Sequence, residues 1–190
     1  MRTRLDLGVE LLERSLAYAC GVLAEVSEAD LTRPTPCAAW DLDRLLAHLE
    51  DGLGAFEEAA AGWVAPQPAP GPTGAAHRVD ALRGRATAVL GAWVGAPDAL
   101  PPRVRLGDAD LDTALLVHTA ALEVAVHAHD VAVATATEAS HPLPEELARG
   151  LLAVAEEVVA PGDRPGRFAA PRTCPGEASY AGLLLAHLGR

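Results

Sequence analysis

Aromatic side chains are scarce in this chain: they make up 4% of its 190 residues, against 50% apolar residues in all. The core must therefore be built mainly from Ala, Leu and Val, which favours close-packed helices over a sheet rich in aromatic residues. Lysine is absent, and all fifteen basic residues are arginine. They are outnumbered by 26 acids, for a formal charge of −11. That balance argues against nucleic acid and anionic membrane as partners, because both require a basic surface. Cysteine is sparse and odd in number (Cys20, Cys37 and Cys174), with no Cys-x2-Cys pair. This fits a reducing cytoplasm better than a disulfide framework. No Gly-rich phosphate loop and no G-x-S-x-G nucleophile elbow occurs. Asp6, Glu10 and Glu13 interrupt any signal-peptide core, and no apolar run is long enough to span a bilayer. The expectation is a cytoplasmic protein.

What is present is helical periodicity. At this length one domain over residues 1–190 is expected, large enough to bury a real core. Leu5, Val9, Leu12, Leu16, Cys20 and Leu23 step by three or four and predict a helix over 5–26. Pro34 and Pro36 hold the next stretch extended, and Asp41 is an N-cap for a second helix over 42–61. Residues 64–75 read as a proline-rich crossover, 76–94 as a third helix, and 96–109 as loop. The fourth helix, 110–134, is apolar on nearly every side and should be the most buried. Pro144 suits the first turn of a fifth helix over 144–159, residues 161–178 read as loop, and 179–190 as a closing helix. No internal repeat is found. The sum is an all-α bundle with crossover connections.

Inside the fourth helix the run Ala121-Leu-Glu-Val-Ala-Val-His-Ala-His-Asp130 sets Glu123 and His127 four residues apart. On a helix that places them on one face, with Cβ atoms about 5–6 Å apart. One reading is a solvent-facing contact pair. The flanking Val124, Ala125 and Val126 favour the other: a carboxylate and an imidazole buried where a metal ion would satisfy both. His48 on the second helix offers a third ligand, and two His with one carboxylate leave a position open, as in catalytic zinc sites. Asp130 shares the face of His127 and is either the acceptor that fixes its tautomer or a surface acid. His129 lies two positions from His127, which turns it toward a second face or the rim, and His118 is poorly aligned. Cys37 is either a packed thiol or a nucleophile, although no base stands near it in sequence.

Thr35-Pro-Cys-Ala-Ala-Trp40 followed by Asp43-Arg-Leu-Leu-Ala-His48-Leu resembles the Thr-Pro-Cys-x-x-Trp…Leu-x-x-His-Leu signature of an actinobacterial group. These are the DinB-like, mycothiol-dependent maleylpyruvate isomerase N-terminal-like metal-binding proteins. Glu123 to Asp130 is similar to that family's Glu-x3-His-Gly-Trp-Asp segment, and Leu183 to Arg190 to its Leu-Leu-Ala-x-x-Gly-Arg tail. The resemblance implies a four-helix bundle of up-up-down-down course with a divalent metal, usually zinc, held by His48, Glu123 and His127. It also implies mycothiol or another low-molecular-weight thiol as cosubstrate, activated as thiolate for isomerisation, S-transfer or conjugation of a small electrophile. The family's Gly-Trp is Ala128-His129 here. That implies an imidazole on one pocket wall and gives His129 and Asp130 catalytic roles, His129 as a proton shuttle. The isomerase has a further domain, so a sequence that stops at Arg190 points to a different reaction.

Three readings stand at this level. The first is a metal-dependent isomerase or thiol transferase acting on a small molecule. The second is a thiol-independent cyclase or isomerase of secondary metabolism. The third is a non-catalytic, metal-stabilised binding domain. A monomer and a homodimer are equally compatible with the sequence.

Overall fold

The computed structural model of the chain describes residues 3–37, 39–65, 74–95, 100–160, 162, 164, 168–174 and 179–190. Six α-helices dominate: α1 (Arg4–Leu23), α2 (Leu42–Ala59), α3 (Ala75–Val94), α4 (Thr113–Thr135), α5 (Glu145–Val158) and α6 (Tyr180–His187). The starts follow the sequence closely because side chains cap them. Thr3 and Asp6 form a reciprocal capping box on α1, while Asp41, Asp112 and Ser179 each accept a backbone N–H of the first turn of α2, α4 and α6.

In space α1 lies against α4 and α3, and α2 against α3 and α4. Consecutive helices α1 and α2 therefore sit on a diagonal, which is the adjacency an up-up-down-down course with crossovers requires. The fold is the all-α, DinB-like bundle. The α1–α4 contact is the most extensive. It depends on Gly8, where an added Cβ would stand 2.7 Å from His118 Nδ1 and closer still to Val117. Leu12, Leu45, Leu46, Leu82, Trp93, Val117 and Ala125 are fully buried in one apolar cluster between the four helices. Most of α4 is buried, as its uniformly apolar sequence requires. The α5 and α6 helices pack together, with α5 also resting on α4 and α1.

Four local expectations are corrected. First, α1 stops at Leu23, and Ser27 then pairs with Asp30 around a short 3-10 turn at Glu28–Asp30. Second, Pro144 has ψ 130° and is the N-cap of α5, outside the helix. Third, α4 begins at Thr113 instead of 110. Fourth, strand β2 (Arg103–Leu106) lies in the segment read as loop and strand β3 (Ala109–Asp112) runs into the residues read as the start of the fourth helix, the two forming an antiparallel hairpin turned at Gly107 with φ 57°. Its Gly-Asp turn between alternating residues was the available signal. A two-residue strand β1 (Trp63–Val64) pairs parallel with β2. Most of the crossover read at 64–75 lies outside the described residues.

Candidate metal centre

The turn ahead of α2 builds one wall of the site. Thr35 Oγ1 donates to the Trp40 carbonyl at 2.9 Å and accepts the Cys37 N–H at 3.2 Å, and the Trp40 N–H donates to the Cys37 carbonyl at 2.8 Å. This closed loop presents the Cys37 thiol and the Trp40 ring on the side of α2 that carries His48. The Trp40 and His48 rings lie 4.8 Å apart, tilted by 54°. This tilted contact restricts the imidazole, and Arg44 covers the indole at 5.5 Å.

The neighbouring helix α4 brings Glu123 and His127 to the same place. Ligand atoms of His48, Glu123 and His127 all lie within 4.8 Å of one another. His127 Nε2 is 3.2 Å from Glu123 Oε2, and the His48 and His127 rings meet edge-on at 5.0 Å. The other nitrogen, Nδ1, stands 3.1 Å from Oδ2 of Asp130, which is wholly buried. Asp130 is thus an orienting group for His127.

What holds Asp130 comes from the far end of the chain. Arg190 Nε donates to Oδ1 at 2.7 Å and Nη2 to Oδ2 at 2.8 Å, a bidentate pair in which Nη2 also reaches Cys37 Sγ at 3.3 Å. The α6 terminus fixes this reach. The Gly189 N–H donates to the Ala186 carbonyl and the Arg190 N–H to the Leu185 carbonyl, with Gly189 at φ 77°, the paired bonding of a Schellman cap. Cys37 Sγ completes the cluster, 3.4 Å from Asp130 Oδ2.

These contacts set the protonation states. Burial alone would raise the Asp130 pKa, but hydrogen bonds from His127 and Arg190 hold it below the usual carboxylate range. Burial opposes the charge on His127, yet its bonds to Asp130, Cys37 and Glu123 raise its pKa well above that of an ordinary imidazole. His48 shifts the other way, through burial and the adjacent His127. It keeps a free lone pair where a cation could use one.

Cys37, His127 and Asp130 form a second group with donor atoms in reach of one another. There the Arg190 guanidinium already bonds both carboxylate oxygens of Asp130 and supplies its counter-charge. In the trio of His48, Glu123 and His127 a positive charge comes from the proton that His127 itself carries, which a metal ion can replace. The trio's donor chemistry suits a divalent ion, with the proton on His127 Nε2 standing where the ion would bind.

The trio opens on a cavity of about 730 Å³ whose wall includes Cys37, Trp40, Phe168 and Arg190. The structure thus brings His48, Glu123, His127 and Asp130 together. His129, partly buried two positions past His127, is not among the residues lining this cavity, and burial lowers its pKa below that of an ordinary imidazole. The expected change of pocket wall from indole to imidazole does not occur among the described residues. Cys37 has the basic neighbour its sequence surroundings lack, and the three cysteines are free thiols.

A family model described as the mycothiol maleylpyruvate isomerase N-terminal domain matches residues 12–132. The chain belongs to that family. The match runs from α1 through almost all of α4 and includes every residue of the trio. Uncharacterized proteins of two Mycobacterium tuberculosis strains, CDC 1551 / Oshkosh and ATCC 25618 / H37Rv, are 33% identical over 180 residues, 94% of this chain and 94% of each relative. No solved structure matches. Among the described residues no helix is long and apolar enough to cross a membrane.

Proposed function

We propose that this member of the family is a divalent-metal-dependent enzyme, most naturally zinc-dependent, that processes a small electrophile with mycothiol or a related low-molecular-weight thiol. The observation that carries the proposal is the convergence of His48, Glu123 and His127 on one cavity. These three side chains hold the ion. When bound, it supplies Lewis acidity, stabilising a thiolate or polarising a substrate oxygen. Asp130 fixes the His127 ring through Nδ1, and Arg190 fixes Asp130. Trp40 limits the rotation of His48 and forms one cavity wall. Apolar residues lining the cavity keep bulk water from a reactive sulfur.

Elemental analysis of purified full-length protein beside His48→Ala and Glu123→Ala tests the ligand set. About one equivalent of zinc in the wild type and little in either variant is expected, with helical content unchanged. A full equivalent retained by both variants would sink the assignment. Turnover of electrophiles measured with and without mycothiol then separates a thiol-dependent enzyme from a thiol-independent isomerase.

A further inference from the structure

The cavity has a polar end and an apolar arm. Along α2 its wall is formed by His48, Leu49, Gly52, Leu53 and Phe56, which extends it about 12 Å, two helical turns, from the metal trio. Thr119 and Leu122 on α4 line it on the N-terminal side of Glu123. Among the described lining residues the charged side chains are Glu123, Arg190 and, without a metal, His127, all at the polar end. Arg190 is already paired in bidentate fashion with buried Asp130. The whole chain is strongly acidic, at −11. Among the described residues of this arm none offers a cation to a carboxylate, and the net negative charge disfavours anions.

Gly52 is the informative residue of the arm. A glycine inside a helix costs about 1 kcal/mol relative to alanine. Packing does not require one here, because an added Cβ would meet only Phe56 Cε2, at 4.0 Å. Its effect is to leave open the cavity wall one turn from His48.

We infer that the enzyme's electrophilic substrate is a neutral molecule with an elongated apolar tail, the reactive group at the His48–Glu123–His127 end and the tail along Gly52, Leu53 and Phe56, and that Gly52 sets the tail length. The inference rests on the proposed function for which end reacts, and on the cavity alone for where the tail lies.

The test uses the full chain, with and without added zinc, and the neutral fluorophore N-phenyl-1-naphthylamine as probe. Saturable binding is expected, displaced better by 1-octanol than by 1-butanol and not displaced by succinate. Gly52→Leu should weaken probe binding at least about tenfold by filling the arm, while zinc content and melting temperature stay at wild-type values. Gly52→Ala, which fills little, should bind the probe nearly as the wild type does. Succinate displacing the probe as well as octanol, or Gly52→Leu binding it unchanged, overturns the inference. Probe binding blocked by Gly52→Leu in a protein that takes up no zinc would instead keep the apolar arm and remove the metal-dependent function.

Discussion

Asp130 shows how much the site depends on a single atom pair. Its Oδ2 accepts from His127 Nδ1 and from Arg190, so the imidazole presents Nε2 to Glu123 and His48. Asp130→Asn keeps the shape and removes the charge. It should lower zinc affinity about 10–100-fold, the range typical of partners one shell out from the metal; competition titration with a chelating dye reads this directly. The raised pKa of His127 gives the pH dependence. In the metal-free protein the stability from protonated His127 is complete below the ordinary histidine value of 6.5 and is lost as pH rises through the raised folded value. Zinc must displace that proton, so its affinity should climb with pH beyond 6.5. Calorimetry in buffers of different ionisation enthalpy should show proton release at neutral pH. Proton-independent binding there would mean that His127 does not supply Nε2.

At the scale of elements, the site is where three segments distant in sequence meet: the Thr35–Trp40 turn with α2, the middle of α4, and the cap of α6. The last is the most fragile. Gly189 has φ 77°, and a Cβ there would stand 2.7 Å from Ala169 Cβ and 2.8 Å from the Ala170 carbonyl oxygen. Gly189→Ala should cost about 2 kcal/mol in denaturant unfolding, from left-handed strain and overpacking together. It should also weaken zinc binding by loosening Arg190. Gly84→Ala is the control: it sits exposed in α3 with nothing within 4 Å of the new methyl, and should gain up to about 1 kcal/mol. Equal effects at the two positions would mean that the α6 cap holds nothing in place.

For the molecule as a whole, the metal trio lies beside a core that does not need it. Leu12, Leu45, Leu46, Leu82 and Trp93 are fully buried without contribution from an ion. Chelation should therefore leave the far-ultraviolet helical signal intact and lower the melting temperature by roughly 5–10 °C, as for a ligand near a hundred times its Kd. Collapse of the helices on chelation would favour a purely structural ion. The helices of this bundle were legible because 3.6-residue periodicity and capping residues are local: Leu42 to Leu53 and Asp41 announce α2 without reference to anything else. The pair Glu123 and His127 was legible for the same reason, since i, i+4 spacing fixes a shared face. The β2–β3 hairpin was missed because its strands are only four residues each, so the alternation of Val104 and Leu106 with Ala109 and Leu111 is too short to stand out. Arg190 could be quoted as part of a tail motif, but nothing local ties it to a carboxylate sixty positions earlier. By itself the sequence determined the helices, the shared face of Glu123 and His127, and an Ala/Leu/Val core. Only the tertiary structure decided that His48 faces that pair and that Cys37 meets Arg190, because those depend on the rotation and approach of whole helices, which pattern along one helix does not encode.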